Sequence, residues 1–201
     1  METIQIYNDH IADNQVEKVV EILKEGGIIV LPTDTIYAVA CDALNPKAIE
    51  KVCKLKGINP EKTNLSILCD DISMVSDYAK FDNYAFKLMK DNTPGPFTFL
   101  FRTASSLPRA FKGRKIVGVR IPDNETVNKI VTSMGNPLLS TSILYKDEDY
   151  AVNPDLIEEE YEDKVDLMIK GEEGGFQSSA IIDCTSGSLE ILRDGPLPLR
   201  E

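Results

Sequence analysis

The spacing of apolar residues along the chain predicts helices that alternate with short, buried strands. Residues 13–25 carry apolar side chains three and four positions apart, which is the pattern of a helix with one buried face. Asp13 or Asn14 is expected to cap its start and Gly26 to end it. The apolar run Gly27–Leu31 follows directly and predicts a buried strand.

The same reasoning predicts the remaining elements. Helices are expected after Asn45-Pro46, after Asp71, and over Asn83–Lys90, Glu125–Met134 and Asp155–Glu162. Strands are expected over Leu65–Cys69, Phe97–Arg102, Ile116–Ile121, Pro137–Ile143, Leu167–Lys170, Ser179–Ile182 and Leu189–Arg193. Several connections are too short for a crossover, so the sheet should contain both parallel and antiparallel pairs. We expect one α/β domain over residues 1–201.

The junction after the strand Gly27–Leu31 is the most informative local feature. Pro32 ends the strand because it has no N–H to donate to a neighbour. Thr33, Asp34, Thr35 and Tyr37 follow within five residues, where α/β sheets often bind their ligands. The alternative is a polar turn that is closed by threonine and aspartate hydrogen bonds.

Charge is unevenly distributed in this acidic chain, whose formal net charge is −11. The stretch from Phe101 to Arg120 contains no acid and six bases: Arg102, Arg109, Lys112, Arg114, Lys115 and Arg120. A basic stretch inside an acidic protein indicates a local anion site rather than a general nucleic-acid binder, although a solvated connection is the alternative.

Several classes of function are disfavoured by what the sequence lacks. His10 is the single histidine, so a histidine triad or a multi-histidine metal site is not expected. The sequence also lacks the glycine-rich P-loop and dinucleotide-binding motifs. Its four cysteines have no metal-like or redox-like spacing and are expected to be buried free thiols. With no apolar run long enough for a membrane span and no signal-peptide pattern, we expect a cytoplasmic protein.

Six segments in sequence carry a family resemblance. They are Gly27–Tyr37, Lys54–Lys56, Thr93–Leu100, Gly118–Pro122, Pro137–Ser142 and Ser178–Gly195. In this order and spacing they resemble the YrdC/Sua5 superfamily, the threonylcarbamoyl-adenylate synthases and their relatives. The details of Ala85–Leu100 and Leu138–Leu144 are closer to the YciO-like branch of that superfamily.

The resemblance implies a twisted mixed sheet with flanking helices around a concave basic cavity. It also implies a nucleotidyltransferase reaction in which L-threonine, bicarbonate and ATP with Mg²⁺ give threonylcarbamoyl-adenylate and pyrophosphate. That product serves a tRNA modification, threonylcarbamoyladenosine, and family members have been associated with double-stranded RNA. The reaction needs no covalent enzyme intermediate, since positioning and charge neutralisation suffice. No protein-bound metal and no membrane partner are expected.

Site roles follow from the matching positions. Lys54, Lys56 and Arg120 are the predicted catalytic cations, the lysines for phosphates and Arg120 for the threonine carboxylate or a phosphate. Substrate contacts are predicted for Thr33, Thr35, Tyr37, Thr98, Ser140, Thr141 and Ser142. The loop Thr93–Pro96 is expected to form one wall of the cavity, and Arg193 and Asp183 are assigned architectural roles.

Three departures from the synthase pattern leave two hypotheses open. Lys56 replaces an arginine and loses its planar, bidentate grip on phosphate. Leu144 stands where the synthases have asparagine, and residues 59–68 lack the usual lysine-proline and histidine. The chain is therefore either an active or weak synthase, or a non-catalytic paralogue that binds double-stranded RNA, tRNA or a nucleotide through the same concave surface.

Overall fold

A computed structural model describes residues 1–113, 115–143 and 152–200. The strands are β1 (Glu2–Gln5), β2 (Ile28–Leu31), β3 (Ala38–Asp42), β4 (Leu65–Leu68), β5 (Ala79–Lys80), β6 (Phe97–Thr103), β7 (Ile116–Arg120), β8 (Leu138–Ser142), β9 (Leu167–Lys170), β10 (Ala180–Asp183) and β11 (Glu190–Arg193). The helices are α1 (Asp13–Lys24), α2 (Pro46–Lys56), α3 (Ile72–Tyr78), α4 (Asn83–Asn92), α5 (Arg109–Lys112), α6 (Glu125–Met134) and α7 (Pro154–Tyr161).

Within these residues the strands form one mixed sheet in the order β1-β9-β2-β3-β8-β4-β7-β6-β10-β11, and β5 pairs with β6. Parallel pairing joins β9 to β1 and β2, β4 to β7, and β6 to β10, whereas the other pairs are antiparallel. The predicted α/β class with a mixed sheet is confirmed.

Two hydrophobic clusters flank the sheet because its central strands are buried on both faces. In β2, Ile28 and Val30 belong to the cluster that includes α2 and α4, whereas Ile29 and Leu31 belong to the cluster of α1 and α6. Successive residues of a strand point to opposite faces, so this continuous apolar run needs helices on both sides.

Several local predictions differ from the structure. Ala12 is the N-cap of α1, and Gln15 Oε1 accepts a hydrogen bond from its backbone N–H, so neither Asp13 nor Asn14 caps the helix. The strand β3 was not predicted, because Ala38 to Cys41 follow the polar loop with no intervening turn signal. Gly26 does follow α1 with a positive φ of 81°.

Candidate functional site

The loop of residues 32–37 connects β2 to β3, which pair as an antiparallel hairpin. Thr33 Oγ1 donates to the Ile36 carbonyl over 2.9 Å and accepts from the Thr35 N–H over 3.0 Å. Tyr37 is fully buried, and its hydroxyl donates to the Glu172 carbonyl over 2.8 Å while accepting from the Gly171 N–H over 3.0 Å. Burial raises the pKa of Tyr37 to about 12. The loop is therefore closed by its own hydroxyls and is fastened to the segment that follows β9.

An ion pair between Arg120 and Asp34 lies at the centre of the candidate site. Arg120 Nη2 donates to Asp34 Oδ1 over 2.6 Å and to Thr35 Oγ1 over 3.1 Å, while Asp34 Oδ2 accepts from the Asp123 N–H over 3.0 Å. Each charged side chain is only 8% exposed. Burial lowers the pKa of Arg120 and raises the pKa of Asp34, and the charge of each residue opposes the shift in its partner.

Arg120 lines a cavity of about 190 Å³ that we call the basic cavity. Its polar lining consists of Arg120, Arg193, Asn64, Thr63 and the hydroxyl residues Ser66, Thr98, Ser140, Thr141, Ser142 and Ser179. Its apolar lining consists of Val52, Cys53, Ile58, Leu65, Leu139 and Ile181. None of these described lining residues is acidic. Because the charge of Arg193 also acts on Arg120, the cavity offers two neighbouring cations to a ligand.

The strand register brings the small polar residues of this cavity together. Ser66 in β4 pairs with Gly118 in β7 on one side and with Ser140 in β8 on the other. A Cβ atom on Gly118 would lie 2.3 Å from Ser66 Oγ and 3.1 Å from Thr98 Cγ2. The glycine is therefore required by this close approach between neighbouring strands.

Asp34 lines a second cavity, of about 290 Å³, that we call the acidic cavity. It is formed by Ile6, Asp9, Pro32, Thr33, Asp34, Thr35, Asn124, Gly171, Glu172, Glu173, Gly174 and Gly175. Its described lining contains four carboxylates and no lysine or arginine, so the Arg120–Asp34 pair connects two cavities of opposite charge.

The predicted site residues divide between these two cavities. Arg120, Thr98, Ser140, Thr141 and Ser142 line the basic cavity. Thr33 and Thr35 line the acidic cavity instead, with Tyr37 buried behind it.

The two predicted phosphate lysines differ in position. Lys56 Nζ donates to the Ser142 carbonyl at the edge of the basic cavity, and burial lowers the pKa of Lys56 to about 8. Lys54 is exposed in the last turn of α2 and is not a lining residue, although its neighbour Cys53 is.

The basic stretch from Phe101 to Arg120 contributes fewer charged residues to the basic cavity than its composition predicted. Of the five bases of this stretch that the structure describes, only Arg120 lines the cavity, whereas Arg102, Arg109, Lys112 and Lys115 are exposed. Arg114 and Leu144, the latter at the asparagine position of the synthases, lie outside the described residues. The predicted anion site thus depends on one arginine of this stretch and on another arginine from β11.

Arg193 is the main residue whose position was not predicted. Its Nε and Nη2 donate to the Ser179 carbonyl over 2.9 and 2.8 Å, so it does support the architecture, but it also lines the basic cavity. Ser179 in turn lies 2.7 Å from Thr98 through their hydroxyl oxygens. Asp183 accepts from the N–H and hydroxyl of Thr185, which is an architectural role.

The loop Thr93–Pro96 does not form a wall of the basic cavity. Thr93, Pro94 and Gly95 instead line a separate cavity of about 200 Å³, together with Leu197, Pro198 and Arg200. Asn92, at the end of α4, exchanges two hydrogen bonds with the backbone of Arg200, of 2.7 and 2.8 Å. The loop therefore packs against the C-terminal residues.

The described cysteines and possible metal ligands are a further potential source of chemistry. Cys41, Cys53 and Cys69 are buried and Cys184 is half-buried, all as free thiols, and burial raises the pKa of each. Within residues 1–113, 115–143 and 152–200, no three histidine, cysteine or acidic side chains are grouped to hold a metal ion. None of the helices in these ranges combines the length and apolarity needed to cross a membrane.

A family model for Sua5, YciO and YrdC proteins, described as "Telomere recombination", matches residues 21–195. The chain belongs to this family. It is 34% identical to the uncharacterised YciO protein of Escherichia coli over 193 residues, which are 94% of this chain and 93% of the relative. It is 36% identical to an uncharacterised Haemophilus influenzae protein over 184 residues, 90% of this chain and 88% of that protein.

Solved structures of the family share the fold. The crystal structure of E. coli YciO matches with a TM-score of 0.91 at 33% identity and covers 100% of this chain and 98% of that one. The crystal structure of P. abyssi Sua5 complexed with L-threonine matches with a TM-score of 0.90 at 25% identity. This match covers 99% of the present chain but only 59% of the Sua5 chain.

Proposed function

We propose that this member of the Sua5/YciO/YrdC family is a threonylcarbamoyl-adenylate synthase. L-threonine and bicarbonate form a C–N bond with loss of water, which gives a carbamate. A carbamate oxygen then forms a bond to the α-phosphorus of ATP as the bond between that phosphorus and pyrophosphate breaks. Mg²⁺ enters with ATP, bound through its phosphates.

The observation that carries this proposal is a buried N–H of the Arg120 guanidinium that has no hydrogen-bond partner among the described residues. Asp34 and Thr35 occupy Nη2, whereas Nε is buried and has no hydrogen-bond partner among the described residues. Buried guanidinium donors are nearly always paired, so a missing partner indicates a ligand that supplies an acceptor. An anion such as a carboxylate or a phosphate matches this donor in geometry and charge.

The surroundings of Arg120 suit the charge that develops during adenylation. Arg193 adds a second cation, and the strand hydroxyls at Ser140, Thr141 and Ser142 can donate to phosphate oxygens. Such fixed donors stabilise the transition state without reorganising as the reaction proceeds. The Sua5 structure with L-threonine supports an amino acid as one substrate.

A second candidate function is nucleotide binding without turnover. Lys56 favours it, because its ammonium is already bonded to the Ser142 carbonyl and its pKa of about 8 leaves part of it neutral in mildly alkaline solution. It therefore holds phosphate less strongly than the arginine it replaces. A cavity of about 190 Å³ suits a nucleotide better than an RNA duplex.

Pyrophosphate release tests the proposal. The purified protein is given ATP, Mg²⁺ and bicarbonate, with and without L-threonine, and threonine-dependent release is expected. Lys56→Ala should lower that release by about tenfold, because it removes a charge at the edge of the basic cavity. Lys47→Ala, an exposed lysine at the other end of α2, is the matched control and should release pyrophosphate at the rate of the unaltered protein.

The opposite result separates the two candidates. If release is no greater with threonine than without it, the synthase proposal is wrong. ATP binding measured by calorimetry on the same preparation then supports nucleotide binding without turnover.

A further inference from the structure

Asn64 is a polar residue of the basic cavity to which the proposed reaction assigns no role. It lies immediately before β4 and lines the cavity. Its Oδ1 is buried and, among the described residues, has no hydrogen-bond partner. An unpaired buried acceptor is costly, so this oxygen indicates a ligand that carries a hydrogen-bond donor.

The strand register separates the backbones of Asn64 and Arg120 along the strands. Leu68 is level with Arg120 in the parallel pair β4–β7, and Asn64 is four residues before Leu68. At the rise of a strand this separates their backbones by about 13 Å. Both residues line the cavity, and among the described residues Arg120 Nε is a buried donor and Asn64 Oδ1 a buried acceptor without a hydrogen-bond partner.

The wall beside Asn64 is apolar. Val52, Cys53, Ile58 and Leu65 line the cavity from α2, from the turn after it and from the start of β4. A flat, weakly polar group with a donor at its edge fits such a wall. A free amino acid carries no flat base, whereas an acyl-adenylate has an anionic end and, at its far end, a base with an amino group.

We propose that Asn64 is the specificity-determining residue that recognises the amino group of the adenine base. The assignment rests on the proposed function, since it takes the nucleotide from that reaction. A carboxamide presents an acceptor beside a donor, which complements the amino group of adenine and the adjacent ring nitrogen.

Calorimetric binding of nucleotide analogues tests this assignment without requiring turnover. The protein is titrated with ATP, with purine riboside triphosphate, which lacks the amino group, and with 2′-deoxy-ATP. We expect ATP to bind about tenfold more tightly than purine riboside triphosphate, the ratio for one buried hydrogen bond. We expect 2′-deoxy-ATP to bind like ATP, and Asn64→Leu to remove the preference for ATP.

Two further variants show whether the preference for ATP depends on the acceptor oxygen of Asn64. Asn64→Asp keeps the acceptor and the shape, so its preference for ATP should persist. Asn128→Leu is the matched control, because Asn128 also has a buried Oδ1 without a partner in the described structure but lines a different cavity beside α6.

Each contrary outcome has a defined meaning. A preference that survives in Asn64→Leu, or one that depends on the 2′-hydroxyl, overturns the assignment of Asn64 and leaves the synthase proposal intact. Failure of the unaltered protein to bind any of the three nucleotides overturns both.

Discussion

The basic and acidic cavities share the ion pair between Arg120 and Asp34. They differ in whether the residue of the pair that lines them has a polar atom without a hydrogen-bond partner. Arg120 lines the basic cavity and its Nε has no hydrogen-bond partner among the described residues, whereas both carboxylate oxygens of Asp34 already accept hydrogen bonds. The basic cavity is lined by strand hydroxyls and a second arginine, and the acidic one by loop carboxylates. We therefore propose that the ligand binds in the basic cavity and that Asp34, from the acidic cavity, orients Arg120.

The local charge of the basic cavity also differs in sign from the net charge of the whole chain. The whole chain has a formal net charge of −11, yet its basic cavity has no acidic residue in its described lining. Exposed acids are screened by water and salt, whereas a buried guanidinium acts at short range in a less polar medium. An anionic substrate is therefore compatible with an acidic protein.

The largest expected effect comes from breaking the shared ion pair. Arg120→Gln should destabilise the fold by about 3–5 kcal/mol, because it leaves the Asp34 carboxylate buried without its partner. The double variant Arg120→Gln with Asp34→Asn should recover most of this stability while still failing to bind ATP. Urea unfolding and calorimetry measure the two properties separately. ATP binding by the double variant at unaltered affinity would show that the anion site does not depend on Arg120.

An intermediate effect is expected from the pH dependence of Lys56. Its pKa of about 8 means that raising the pH from 7 to 9 removes most of its charge, so ATP affinity should fall over that range by up to about tenfold. Lys56→Arg should stay charged and make the affinity nearly independent of pH between 7 and 9. Calorimetry at both pH values checks this, and an equal fall in the arginine variant would assign the titration to another group.

Much of the fold could be predicted because its signals are local. Asn45 caps α2 and Asp71 caps α3 through side-chain bonds, as their sequence positions indicate. The strand β3 was missed because its residues from Ala38 to Cys41 follow a polar loop, and only its pairing with β2 and β8 makes it a strand. Strand pairing depends on residues far apart in the sequence, which local patterns do not report.

The candidate site was less predictable than the fold for a related reason. Arg120 was identified because a charged residue within an apolar strand needs a partner. Its partner Asp34 is 86 residues away, so the pair could not be deduced from spacing. Asn64 gave no signal in the sequence and Arg193 was assigned only an architectural role, since nothing local distinguishes a polar residue that lines a cavity from one that does not.

The smallest effect is expected in the acidic cavity, where Glu172 and Glu173 are exposed. Glu172→Gln and Glu173→Gln remove a charge but keep the Glu172 carbonyl that accepts from Tyr37. Stability should change by less than about 0.5 kcal/mol, as for most surface substitutions. ATP affinity should rise by less than about twofold, because the lost repulsion is screened by salt. Calorimetry at low and physiological salt measures this. A tenfold loss of affinity in either variant would instead make the acidic cavity part of the ligand site, since screening cannot account for an effect of that size or sign.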